Sequence, residues 1–179
     1  MSVAEVQVVD VQDLNTMSED AAFEELRKCC GSRKWAERML AARPFASREA
    51  ILSAADDIWQ KLPPEDWIEA FRHHPKIGDL NSLRMKYAGN KEWSQGEQSG
   101  IEGASETVLQ GLVEGNAAYE NRFGHIFIVC ATGKSAVEML SLLKERLKNT
   151  PADEIKVAMG EQAKITRLRL DKLLQELAP

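Results

Sequence analysis

The sequence predicts an all-α fold, a compact bundle of about eight helices with one short extended segment near 125–131. Three observations carry this expectation. Apolar residues recur at helical spacing along most of the chain. Ser, Thr and Pro punctuate those stretches where helices should begin or end. One run only, HIFIVCA at 125–131, is a strand candidate, and it reads equally well as a buried extended segment. Heptads are not sustained, so a long coiled coil is not expected.

Residues 1–15 read as a flexible lead-in. Thr16 and Glu19 form a T-x-x-E helix start, and Phe23, Leu26 and Cys30 follow at helical spacing until Gly31. Ser32 caps a short helix with Trp35, Met39 and Leu40, which stops before Pro44. Ser47 opens a third, with Ile51, Leu52, Ala55, Ile58 and Trp59 on its inner face and Leu62-Pro63-Pro64 as its end. Pro64 suits the first turn of a fourth helix, with Glu65 and Asp66 at its positive end and Trp67, Ile68 and Phe71 facing inward. Pro75 then drives His74 out of helical geometry.

Residues 76–93 are polar and irregular, with one helical turn expected around Leu83–Tyr87. Ser94 reads as the cap of a short helix broken by Gly100 and Gly103. A longer helix begins at Ser105 or Thr107 and ends near Phe123-Gly124, and Gly111 and Gly115 inside it signal close packing. After the extended run and Gly133, Ser135 caps a helix carrying Val137, Leu140, Leu143 and Leu147. Thr150-Pro151-Ala152-Asp153 starts a last helix that runs to about Leu177. Leu168, Leu170, Leu173, Leu174 and Leu177 form its expected buried stripe, flanked by Arg167 and Arg169.

The chain's 179 residues suit one domain with a real core. Apolar residues make up 44% and charged residues 28%, an ordinary globular balance. The net charge is −5 and no basic patch stands out, which argues against a nucleic-acid partner. No apolar run approaches the roughly 18 residues of a membrane span. Cys29, Cys30 and Cys130 fit no zinc spacing and read as reduced thiols, which points to an intracellular setting. Neither a secretory leader nor a Ser-Lys-Leu-type terminus is visible in this chain.

Four stretches carry candidate chemistry. The first is FRHHPKIGDL, residues 71–80, where His73 and His74 meet Pro75 at a helix end. An imidazole exchanges protons near neutral pH, and the helix dipole there favours its charged form. The plainer reading is a histidine that caps the last carbonyls. The second is EWSQGEQSGI, where Ser94 and Glu97 form a capping box, and where Ser94, Gln98 and free first-turn amides would also suit a polar ligand. The third is RFGHIFIVCATGK, whose extended backbone needs hydrogen-bond partners, from a strand or from an amide-rich small molecule. The fourth is ITRLRLDKLLQEL, whose arginines are ordinarily solvated, though one could hold a carboxylate with its planar fork. No G-x-S-x-G, P-loop or dinucleotide fingerprint is present, and Cys130 reads as an inert core thiol.

Taken in order, HPKIGD, W-S-x-x-EQSG, N-x-x-Y-x-x-R-F-G-x-x-F-I-V-C and I-x-x-L-R-L-x-x-L resemble the 2-oxo-4-hydroxy-4-carboxy-5-ureidoimidazoline (OHCU) decarboxylase family of urate degradation. The likeness runs from about Met17 to Leu177. The chain also looks like the decarboxylase part of a plant-type bifunctional allantoin synthase, whose second half is a transthyretin-like hydroxyisourate hydrolase. The resemblance implies a single helical decarboxylase domain over 16–178, possessing no metal or organic cofactor and forming a homodimer in the peroxisome or cytosol. It implies that His74 is catalytic. It implies that Pro75, Ser94, Gln95, Gly96, Glu97, Gln98, the backbone of Phe127, Ile128, Val129, Cys130 and Ala131, and Arg169 bind the ureidoimidazoline, with Arg167 as the second choice of arginine. His125-Ile126 stand where many members of the family have Phe-Pro.

Two other readings compete. A helical interaction domain would use an amphipathic groove and leave the histidines as caps. A metal-dependent hydrolase would draw on His73, His74, Asp79 and His125, although the usual ligand spacing is missing.

Overall fold

A computed structural model describes residues 11–75, 81, 83 and 95–175, with only the backbone described over 95–105. Among these residues there are eight helices and no strand. They are α1 (Val11–Thr16), α2 (Glu19–Cys29), α3 (Arg33–Ala41), α4 (Arg48–Lys61), α5 (Pro64–Arg72), α6 (Gln95–Phe123), α7 (Ala136–Arg146) and α8 (Pro151–Gln175). The all-α expectation holds.

The chain forms two compact units. The first comprises residues 1–73 and 159–179, the second residues 74–158.

In the first unit, α3 packs against α2, α4 and α5. Leu26, Trp35, Met39, Ile51 and Phe71 are fully buried there. Each tryptophan that enters this core keeps its indole N–H satisfied, as a buried donor must. Trp35 donates to the Ala55 carbonyl at 3.1 Å, Trp59 to Met159 at 2.9 Å and Trp67 to Trp59 at 2.9 Å. Arg48 on α4 pairs with Asp171 on α8.

The serine caps are where the sequence puts them. Ser32, Ser47 and Ser135 accept from Trp35, Ala50 and Glu138 N–H, and Thr150 accepts from Asp153 N–H at 3.2 Å. One is displaced. Ser18, not Thr16, caps α2 by accepting from Ala21 N–H, while Thr16 donates back to the Gln12 carbonyl at the end of α1. Residues 11–15, expected in the lead-in, belong to α1. Leu14 is fully buried, and the Asn15 side chain both donates to Phe45 C=O and accepts from Phe45 N–H.

In the second unit, α6 and α7 lie side by side over a core of Leu83, Leu109, Leu112, Tyr119, Ala136, Met139 and Leu143. Gly111 and Gly115 do signal close packing: a Cβ would come 3.0 Å from Leu140 at the first and 2.5 Å from Leu143 at the second. Gly100 and Gly103 do not break the helix, since α6 runs unbroken through both. Glycine lowers helix stability by about 1 kcal/mol but, unlike proline, removes no hydrogen bond. The expected turn at 84–87 lies outside the described residues, although Leu83 is helical and buried.

Two inner faces differ from expectation. Val137 is 62% exposed, and α7 instead turns Ala136, Met139, Leu143 and Arg146 inward. Leu168 is 44% exposed, and the buried positions along α8 are Glu154, Ala158, Gln162, Thr166, Leu170 and Leu174. Half of that stripe is polar, so it cannot be found from hydropathy alone. Leu177 lies outside the described residues.

Candidate functional site

The histidine turn is built by α5. Proline at its first position and Glu65 and Asp66 in its first turn favour the start, and His73 closes it as C-cap in αR geometry. His74 follows outside the helix, half-buried, and Pro75 is exposed. The first unit fixes the approach to this turn. Glu69 accepts from the Arg33 backbone N–H at 2.5 Å, tying α5 to the start of α3. Arg27 on α2 places Nη2 3.0 Å from His73 Nε2 and 3.1 Å from the Gly31 carbonyl. Gly31 is itself pressed against the histidine, since a Cβ there would fall well inside 3.0 Å of the His73 side chain. A cation already faces the Nε2 of His73, which disfavours that nitrogen as a metal ligand. Among the described residues no group of three His, Cys, Asp or Glu could hold a metal ion, and Asp79 lies outside them.

The extended segment belongs to the second unit. It leaves α6 at Gly124, with φ +78°, and ends at Gly133, with φ +75°. Both are left-handed turns that favour glycine. Between them the backbone is neither helix nor strand, so the reading as a buried extended segment is the one found. Ile128 and Cys130 are buried, and Phe127, Val129 and Ala131 are half-buried. Lys134 folds back on the end of the run, donating from Nζ to the Cys130 carbonyl at 2.6 Å and from its backbone N–H to Ala131 at 3.0 Å. His125, buried, stacks with Phe123 and meets Tyr119 edge-on.

Behind this segment sits a buried polar cluster that the sequence reading missed. Arg146 donates from Nη1 to the Ile128 carbonyl and from Nε to Glu154 at 2.6 Å. Tyr119 donates its hydroxyl to the same carboxylate oxygen at 2.7 Å, and Asn149 reaches the other oxygen at 2.8 Å. The guanidinium lies 4.6 Å from the Phe127 ring centroid. Burial pushes the Tyr119 hydroxyl well above the ordinary phenol range, and its bond to Glu154 adds to the effect. Arg146 lies three residues after Leu143 and seven after Met139. A charge at that register on an apolar face was the available signal.

The second candidate stretch is described only in part. Gln95, Gly96, Glu97 and Gln98 open α6, and Ser94 lies outside the described residues. The two arginines of α8 are separated by their surroundings in the first unit. Arg167 is 3.7 Å from the Asp56 carboxylate, whereas Arg169 makes a long 3.5 Å contact with the Lys28 carbonyl and pairs with no carboxylate among the described residues. An arginine whose charge is not taken by a carboxylate of the chain is better placed to take one from a ligand.

None of the three cysteines forms a disulfide, and all three are buried. Burial pushes the Cys29 thiol up to about 12 and the Cys30 thiol up to about 11, so neither is a reactive nucleophile at neutral pH.

Comparison with known proteins points one way. A family model described as OHCU decarboxylase matches residues 15–171. The chain is 38% identical over 162 residues to the uric acid degradation bifunctional protein TTL of Arabidopsis thaliana, covering 90% of this chain and 50% of that one. It therefore spans about half the length of that relative. It is 33% identical over 138 residues to the 2-oxo-4-hydroxy-4-carboxy-5-ureidoimidazoline decarboxylase of Amia calva, covering 74% of this chain and 75% of that one. A crystal structure of OHCU decarboxylase in the presence of (S)-allantoin superposes with a TM-score of 0.68 at 37% identity, over 85% of this chain and 98% of the other.

Proposed function

The chain belongs to the OHCU decarboxylase family, and from that premise we propose that it converts 2-oxo-4-hydroxy-4-carboxy-5-ureidoimidazoline to (S)-allantoin without a cofactor. The observation that carries the reading is that the family match runs from residue 15 to residue 171, through the first three motif stretches and into the fourth past Arg169.

Loss of CO₂ leaves an electron pair that the neighbouring imine and carbonyl of the ring can delocalise. The protein then has to orient the breaking C–C bond, stabilise that charge and deliver a proton to one face. His74 hydrogen-bonds the substrate hydroxyl or carboxylate and takes part in the protonation. Pro75 shapes the wall beside it. Glu97 anchors the ureido N–H groups, Gln98 the ring amide, and Ser94 with the Gln95 and Gly96 backbone completes the helix-terminal part of the site. The backbone of Phe127–Ala131 binds the polar edge of the substrate, and Arg169 takes its carboxylate.

Residues 16–178 act as one decarboxylase domain, working as a homodimer in the peroxisome or cytosol. A fused hydroxyisourate hydrolase would supply the unstable substrate directly, an arrangement suggested by the bifunctional relative. No helix among the described residues is long and apolar enough to cross a membrane.

The test is a coupled assay. Substrate is generated in place from urate with urate oxidase and hydroxyisourate hydrolase, and the circular dichroism of the product is followed beside a His74→Asn control. Rapid optically active (S)-allantoin is expected from the wild type, with turnover lowered about 10²–10⁴-fold in the control. Only slow racemic product from the wild type would overturn the activity. A control that keeps more than half of the wild-type kcat would overturn the role of His74.

A further inference from the structure

We propose that Arg146 is a positioning residue for substrate binding: anchored by Glu154 and Tyr119, it holds the Ile128 carbonyl from behind and so sets the backbone of residues 127–131 toward the ligand. This rests on the reading above, in which that backbone binds the ureidoimidazoline.

The argument begins with burial. Arg146 is 7% exposed and Glu154 is fully buried. Taking both charges out of water is costly, and a well-packed apolar pair often serves stability as well or better. Stability alone therefore gives weak grounds for the pair. What an apolar pair cannot do is reach a backbone carbonyl. Arg146 turns its Nη1 to Ile128, its Nε and Nη2 to Glu154, and its flat face to Phe127. The planar fork fixes these directions relative to one another, so Glu154 aims the bond to Ile128. Tyr119 and Asn149 hold both carboxylate oxygens in turn.

The segment so held lacks the usual support. It is extended yet joins no sheet, and no backbone carbonyl among the described residues takes the N–H groups of Phe127, Ile128 or Val129. Buried backbone donors are normally paired. A rigid support behind the run, with donors left to face something else, is the arrangement expected of a binding edge for a ligand rich in carbonyl and amide groups.

The test measures (S)-allantoin affinity by titration calorimetry, beside the coupled assay. In Arg146→Lys, one ammonium cannot serve Glu154 and Ile128 with the same fork geometry. The double variant Arg146→Met/Glu154→Gln removes both charges together, so the buried core is not left with an unpaired ion, and it carries the test if the lysine variant fails to fold. The fitted stoichiometry reports the folded fraction, while Kd and KM report the site in the molecules that are folded. A purely structural role would lower stoichiometry and leave Kd and KM alone. The expected result is wild-type stoichiometry with Kd and KM raised about tenfold, the scale of a lost charge-assisted hydrogen bond. Wild-type Kd and KM in both variants, with an active wild type, would overturn this inference and leave the proposed function standing. A wild type that neither forms nor binds (S)-allantoin would overturn the two together.

Discussion

Arg27 places its guanidinium Nη2 3.0 Å from Nε2 of His73, the residue immediately before His74. A guanidinium can only donate, so in this contact Nε2 of His73 is the acceptor. The same nitrogen of Arg27 also holds the Gly31 carbonyl, and Gly31 leaves the space that the His73 side chain occupies. His73, which the sequence alone gives no role, is the fixed point from which the chain enters the His74 turn.

Two variants separate the parts of this contact. Arg27→Met removes two hydrogen bonds, to His73 and to the Gly31 carbonyl, each worth about 0.5–1.5 kcal/mol, so the fold should survive with a modest loss of Tm. With His74 as the proposed reacting group, its turnover should fall several-fold, because small displacements of such a group are costly. Gly31→Ala should lose about 1–3 kcal/mol from overpacking, along with activity. Thermal melts and the coupled (S)-allantoin assay check both. Full activity in Arg27→Met would show that the His74 turn holds its geometry without this contact.

The buried thiols predict alkaline lability. Burial raises Cys29 to about 12 and Cys30 to about 11 from an ordinary 9.0. Below pH 9 both folded and unfolded chains keep these protons. Above it the unfolded chain releases them first, so it binds fewer protons and stability falls as pH rises, until the folded values are passed. Each thiol adds a slope of at most about 1.4 kcal/mol per pH unit. Urea midpoints measured from pH 8 to 10.5 should fall more steeply in the wild type than in Cys29→Ala/Cys30→Ala. At pH 8 a thiol reagent should label these cysteines slowly until denaturant is added.

The legible parts of this molecule are those in which local chemistry decides structure. Ser32, Ser47, Ser135 and Thr150 cap helices wherever they stand, because the bond each makes is to a backbone N–H three residues on. His74-Pro75 announces its turn for a similar reason: proline restricts the residue before it. What escapes is decided by partners far along the chain. Arg146 resembles any charged residue near a helix end until Ile128, Tyr119 and Glu154 are known to meet it. Glu154 resembles a first-turn acid placed for the helix dipole, yet it is fully buried. The stripe of α8 misleads in the same way, since Gln162 and Thr166 bond to one another and so can be buried beside leucines. Of the candidate site, the histidine turn and the extended segment were visible as chemistry, whereas the ion pair that distinguishes Arg167 from Arg169 depends on Asp56, far along the chain.

The two glycines on the inner face of α6 should respond oppositely to alanine. In an open helix the change gains about 1 kcal/mol of propensity. At Gly111 the new Cβ meets the ends of Leu140 at 3.0 and 3.3 Å, and Leu140 is only partly buried, so that side chain can turn aside. At Gly115 the Cβ would come 2.5 Å from Leu143, which is fully buried and has nowhere to go without disturbing the core. Gly111→Ala should therefore be neutral or slightly stabilising, and Gly115→Ala destabilising by about 1–3 kcal/mol. Paired urea titrations decide the point. If the two midpoints shift together, the pressure on α6 comes from its whole face against α7 rather than from the immobile Leu143.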